Sequence, residues 1–212
     1  MDRVRVRPVS WPLLIEELAD RIAGAAATRW TRVAVDGPGP AAPGELAERL
    51  VDPLRVRGRA VVRVSATDFL RPASLRFERG RHDPDSFYEG WVDLGALHRE
   101  VLAPTAPDGS GRVLPSLWDA ETDRATRADY VRVPPGGVVL VDGSLLLGRG
   151  LPFDVTVHLW LSPTALARRI DPEWSWTLPA FARYAEEVVP WRQADVVVRV
   201  DDPRRPALVE QL

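Results

Sequence analysis

The stretch "VAVDGPGPAAPGEL", Val33 to Leu46, has the composition of a phosphate cradle: a β-branched run, a glycine loop and the start of a helix. Such a loop wraps anionic oxygens with backbone N–H groups, supplies a lysine to bridge the phosphates, and ends on a hydroxyl that ligates magnesium. On the template G-x-x-x-x-G-K-[ST], Gly37 takes the first glycine, Ala42 the second, Pro43 the lysine and Gly44 the hydroxyl residue. The candidate phosphate contacts are therefore Gly37, Gly39, Pro43, Gly44 and Glu45, at the positive end of a helix dipole. Pro38, Pro40 and Pro43 have no N–H to give, so the cradle is short of donors. The same residues also make a tight strand-to-helix connection, because proline is favoured in the first helical turn.

Carboxylates and arginines follow at the ends of later apolar runs. Asp68 stands just beyond "VVRVS", within reach of a general base's work, or else caps the turn before "FLRP". Asp142 ends "VVLVD", where its "VDG" context suits a turn at a strand end. Four arginines fall within eleven residues, at Arg71, Arg76, Arg79 and Arg81. That density suits an anionic ligand, and equally a solvated face answering Glu78, Asp83 and Asp85. Arg168 and Arg169 close "SPTALARRI", where they complement the negative end of a helix. Phe69, Phe87, Tyr88, Trp91 and Trp118 offer aromatic surface, either for a ligand or for packing. His82, His98 and His158 are isolated, with no metal-ligand spacing, so no protein-nitrogen metal site is expected.

The elements that must position these groups read as alternating strand and helix. Leu14, Leu18 and Ile22 recur at a spacing of four behind Ser10, which predicts an amphipathic helix over Pro12 to Ala26. Five valine-rich runs, "TRVAVD", "AVVRVS", "GVVLVD", "DVTVHLW" and "DVVVRV", read as strands covered on both faces. The expected fold is α/β, a doubly wound and mainly parallel five-stranded sheet with helices on both faces, in a single domain over residues 1–212. Residues 71–137, rich in Pro, Asp and Gly, read as a helical and hairpin excursion between the second and third strands. In such a sheet ligands bind beyond the carboxyl ends of the strands.

The chain of 212 residues is 45% hydrophobic and 27% charged, an ordinary globular profile. A net charge of -2 gives no field to recruit nucleic acid or an anionic membrane, so neither is an expected partner. There is no cysteine and no lysine, so all 28 basic residues are arginine and no amine can serve as a phosphate hook. With no apolar run of membrane-spanning length and no signal-peptide pattern, the expected location is the cytoplasm.

Taken in order, "VAVDG", "VSATDFLRP", "RGRHDPDSFY", "VVLVDG" and "ADVVVRVDDP" resemble the uridine kinase branch of the P-loop kinases, and more closely the actinobacterial uridine kinase-like proteins. The resemblance runs from about Arg32 to Leu208. It implies ATP and Mg2+ as cofactors and transfer of a phosphoryl group to the 5′-hydroxyl of a nucleoside or similar small alcohol. The family's base falls on Thr67 here, leaving the adjacent Asp68 for that role. Asp142 would hold magnesium through water, and Arg168 and Arg169 would be lid arginines, although "DPEWSWTLPAF" adds no others. Trp118 takes the base-stacking position, Asp123 falls near that of a base-reading histidine, and Phe69, Arg71, Arg79, Arg81, Phe87 and Tyr88 complete the acceptor site. Two readings follow. One is a kinase impaired by the loss of the loop's lysine and hydroxyl; the other is a pseudokinase that binds a nucleoside, a phosphorylated ligand or a protein partner. Self-association stays open.

Overall fold

The computed structural model describes residues 5–25 and 29–210. In chain order the elements of the main sheet and its cover are β1 (Arg5–Pro8), α1 (Trp11–Gly24), β2 (Thr31–Asp36), α2 (Pro43–Val56) and β3 (Val61–Ser65). An excursion follows with three short helices, α3 (Ala73–Arg76), α4 (Pro84–Gly90) and α5 (Leu94–Leu97). Two small antiparallel ladders complete it, β4 (Arg112–Val113) with β7 (Val131–Arg132), and β5 (Trp118–Asp119) with β6 (Arg124–Ala125). The chain then returns to the sheet through β8 (Val138–Gly143), β9 (Val155–Trp160), α6 (Pro163–Arg169), α7 (Leu178–Glu187), α8 (Pro190–Gln193), β10 (Val196–Arg199) and β11 (Ala207–Glu210).

All five valine-rich runs are strands and all five are parallel, in the order β10-β9-β2-β8-β3. The sheet is nonetheless seven-stranded, because β11 joins β10 antiparallel and β1 joins β11 antiparallel. The central strands β2 and β8 are buried almost throughout, as their unbroken apolar composition requires of strands covered on both faces. Helix α1 begins behind Ser10, whose side chain accepts from the Leu13 amide, and ends at Gly24; the expected last residue, Ala26, lies outside the described residues. It buries Leu14, Leu18 and Ile22 with α2's Leu46, Leu50 and Leu54 against one face of the sheet. The excursion and α7 cover the other face, in a core that includes Val64, Phe69, Leu97, Val139 and Val141 and a neighbouring cluster of Ala34, Leu145, Tyr88 and Tyr184.

One polar group sits in this second layer. Asp36, at the carboxyl end of β2, has no solvent exposure. Its carboxylate accepts from the Leu146 amide at 2.9 Å and the Tyr184 hydroxyl at 3.1 Å, and lies 2.7 Å from His158 Nδ1. Those partners belong to the segment after β8, to α7 and to β9, so one side chain joins four parts of the fold. Burial, and then the charge of Asp36, push the Tyr184 phenol far above its ordinary pKa, so its proton stays in place as the donor.

Asp36→Ala leaves three buried partners unsatisfied, and is expected to lose about 3–5 kcal/mol of unfolding free energy. Tyr184→Phe removes two hydrogen bonds, the donation to Asp36 and the acceptance from the Leu147 amide, and is expected to lose about 2–3 kcal/mol. Urea unfolding followed by tryptophan fluorescence measures both.

Candidate active site

The phosphate loop leaves β2 in a conformation set by packing and proline. The Gly37 amide continues the sheet ladder to the Gly143 carbonyl at 3.0 Å, and a Cβ at this position would lie 3.0 Å from Leu159. Gly39–Ala41 then form a turn of 3-10 helix, in which the Ala41 and Ala42 amides bond to the Pro38 and Gly39 carbonyls. With three prolines lacking N–H, only Gly39, Gly44 and Glu45 among residues 37–45 keep amides that no backbone carbonyl takes. Ala42 has φ 58 and ψ 54, the left-handed conformation, at the template's second glycine. The backbone has kept a bend that the residue does not favour. Arg169 donates to the carbonyls of Val200 and Pro40, so it fixes the loop instead of reaching across it. Arg168 is exposed.

Beside the start of α2 stands a residue that the sequence reading passed over. Arg63, inside β3, donates through Nε to Asp142 Oδ1 at 2.7 Å and through Nη1 to Glu48 at 3.2 Å. A Cβ at Gly44 would lie 2.9 Å from Arg63 Nη2 and 3.1 Å from Asp142 Oδ2. The guanidinium therefore occupies the space between the loop's hydroxyl position and the strand-end carboxylate. Ser65 donates to Asp142 Oδ2 at 3.3 Å, and with that proton used, Thr67 is the donor in the 2.8 Å contact between the two hydroxyls. Burial pushes the Asp142 carboxyl above its usual range, against the hydrogen bond and charge of Arg63. Asp68 is raised too, by burial and then by the charge of Asp142, with Arg63 pulling the other way. An arginine in the middle of a valine strand is the signal that was available, because a buried charge requires a partner.

On the acceptor side, a cavity of about 460 Å³ opens where the segments following β2, β3 and β8 meet α4 and the turn before α7. Gly39, Thr67, Phe87, Tyr88, Arg149 and Arg169 are among its walls, and Trp91, Trp174 and Phe181 add aromatic surface. Phe87 and Tyr88 thus line the cavity. The other residues expected on the acceptor side do not. Phe69 is fully buried in the second core, because the turn after β3 directs it inward. Trp118 donates to Asp123 at 3.1 Å, and Asp123 also accepts the Ala73 amide, so the two residues pin the β5–β6 hairpin to α3 away from the cavity. Arg71 and Arg79 are exposed, and Arg81 lies over the Phe77 ring beside a separate groove; none of the three lines the cavity. Asp68 does not line it either; Thr67 does.

The fold has solved counterparts. A protein from Bacillus stearothermophilus described as a possible uridine kinase superposes with a TM-score of 0.70 at 21% identity, covering 86% of this chain and 96% of that one. This chain has the fold of the P-loop kinases. A Silicibacter sp. protein described as a fructose transport system kinase agrees at a TM-score of 0.59 and 21% identity, covering 83% and 90% of the two chains. No family profile matches the sequence, and no curated protein is significantly similar to it.

A P-loop kinase site holds magnesium between the loop's hydroxyl and an acidic strand end, with a lysine on the phosphates. The residues here do not fit that group. Position 44 has no hydroxyl, its open side faces Arg63, and the carboxylate of Asp142 is already engaged. Among the described residues no cluster of three or more His, Cys, Asp or Glu side chains could hold a metal ion.

Two substitutions test this arrangement. Ala42→Gly is expected to stabilise the fold by about 0.5–1 kcal/mol in urea unfolding, because glycine adopts a left-handed conformation without strain. Arg63→Ala is expected to lose about 1–3 kcal/mol at neutral pH, a range discounted because the arginine is partly in water. An acid whose pKa is raised on folding holds its proton more tightly in the folded state, so stability falls as pH rises through that pKa. Removing Arg63 raises Asp142 further, so the deficit of the variant should shrink on acidification to about pH 5. Unfolding midpoints of both proteins across that range measure it.

Proposed function

We propose that this chain is a uridine kinase-like protein that binds a small molecule in its acceptor cavity, and in which transfer of a phosphoryl group from Mg-ATP to the hydroxyl of a nucleoside or similar alcohol is lost. The observation that carries the reading is Arg63, seated between Gly44 and Asp142 where the donor's cation would need room. Each preorganised electrostatic group removed from a transfer site costs about 3 kcal/mol, or two powers of ten in rate. Lysine and hydroxyl are both missing, so ATP turnover falls by several powers of ten. The acceptor side is intact as a cavity. Absence of cysteine and of any described helix able to cross a membrane accords with a cytoplasmic role.

A slow phosphotransferase is the second reading, and two observations favour it. The raised Asp68 is suited to accept a proton, although a small movement of its turn must bring it to the cavity. The open amides of Gly39, Gly44 and Glu45 can still meet an anion.

Calorimetric titration with Mg-ATP, paired with a phosphoryl-transfer assay over a nucleoside panel, separates the two. The expected outcome is no saturable binding up to about 1 mM nucleotide, the upper end of ordinary KM values, and no product above background. Saturable binding together with product formation that Asp68→Ala abolishes would establish the phosphotransferase instead.

A further inference from the structure

The cavity is lined in a way that selects its occupant. Its hydroxyls are engaged within the protein: Ser144 donates to the Gly37 carbonyl at 2.8 Å, Thr177 to the Trp174 carbonyl at 2.7 Å, and Tyr88 to Glu187 at 3.1 Å. Its two carboxylates are engaged as well, Glu89 with Arg183 at 3.0 Å and Asp171 with the Glu173 amide at 2.9 Å. No histidine or side-chain amide lines it, and the chain contains no asparagine at all. A base edge and a ribose would bring several donors and acceptors into walls that have few to return, and a polar group desolvated without a partner is unfavourable.

What the walls do offer is ring surface and positive charge. Phe87 meets Trp91 edge-on at 5.2 Å and Phe181 at 5.8 Å, and Trp174 meets Trp91 at 5.9 Å. Trp174 remains 46% exposed on the rim, a large apolar side chain that a ligand would cover. Trp91 is 6% exposed, and its Nε1–H has no acceptor among the described residues. Arg149 lies 4.7 Å over the Tyr88 ring and donates to the Tyr88 carbonyl at 3.0 Å, while Arg169 bonds to two carbonyls. Neither guanidinium is within ion-pair distance of a carboxylate among the described residues, although the charge of Glu187 acts on Arg149, so both walls present a guanidinium that an anion can meet.

We infer that the cavity binds a flat aromatic anion, its ring against the wall formed by Phe87, Trp91, Trp174 and Phe181 and its acidic group toward Arg149 and Arg169. This rests on the reading of the acceptor side as a small-molecule site, and replaces a nucleoside with a ring acid as its ligand. Guanidinium forks suit carboxylates and phosphates alike, and aromatic walls select a planar body with few polar edges.

The test is calorimetric titration of the whole protein with 2-naphthoate, its neutral counterpart 2-naphthylmethanol, 2-naphthyl phosphate, uridine and uridine monophosphate. The ring acids are expected to bind saturably and at least about tenfold tighter than the neutral ring, carboxylate and phosphate arms telling which anion is preferred. Arg149→Met should remove that tenfold difference while leaving the neutral ring's affinity unchanged. Trp174→Ala, at an exposed rim position compatible with folding, should weaken both rings by about fivefold. Equal affinity for acid and neutral ring, ring binding unaffected by Trp174→Ala, or tighter binding of either uridine compound overturns the inference; in the last case the small-molecule reading survives. If no compound binds, the inference falls, and the reading beneath it loses its support.

Discussion

A single buried carboxylate sets the reference point for the whole carboxyl-terminal crest of the sheet. Asp36 ends β2, has no exposure, and is tolerated there only because its acceptor capacity is used by partners from three other elements. Its hydrogen bond to Leu146 draws the chain after β8 over the end of β2, and Tyr184 in turn accepts from the Leu147 amide at 2.9 Å. Gly37 follows immediately and bonds back to β8. The loop after β2 and one wall of the cavity are thus indexed to the same two oxygens. A polar network in a low-dielectric layer allows few alternative geometries, because any rearrangement leaves a group unpaired.

Above this crest the two halves of the candidate site differ. The half beside α2 is closed from within by a cation belonging to the protein. A guanidinium carries one charge in a flat fork and is tethered to β3, so it satisfies Asp142 permanently, where a metal would arrive and leave with a nucleotide. The other half is rich in aromatic surface. Trp174 and Trp176 stand in the turn before α7, in the stretch expected to add no arginine to Arg168 and Arg169, and their rings lie 6.0 Å apart in a stacked arrangement. Charge lies inward at one end of the site and aromatic surface at the other.

The sheet was legible because its five parallel strands are written as valine runs, with β2, β8 and β9 buried along most of their length. The two antiparallel strands carry no such mark. "RVRP" and "ALVE" are short and mixed, and their pairing joins Arg5 to Glu210, which no local pattern records. Within the site, the missing lysine and hydroxyl could be read directly from the loop. Arg63 could not be assigned by spacing, because its partner Asp142 is 79 residues away and meets it only through the β3–β8 ladder. Phe69 was misplaced for a related reason: the residue after Asp68 turns inward once the strand has ended, and alternation along a strand no longer predicts direction.

The pairing of β1 with β11 bears on how the chain is made. Among the described residues the ladder partner of β1 is β11, about 200 residues later in the chain, and β11 is also what joins it to the sheet. At roughly 5–20 residues per second, β1 waits about 10–40 s with its hydrogen-bonding edge open. Arg5 and Arg7 on that strand, with Pro8 at its end, are residues that discourage a stray strand from pairing there in the meantime.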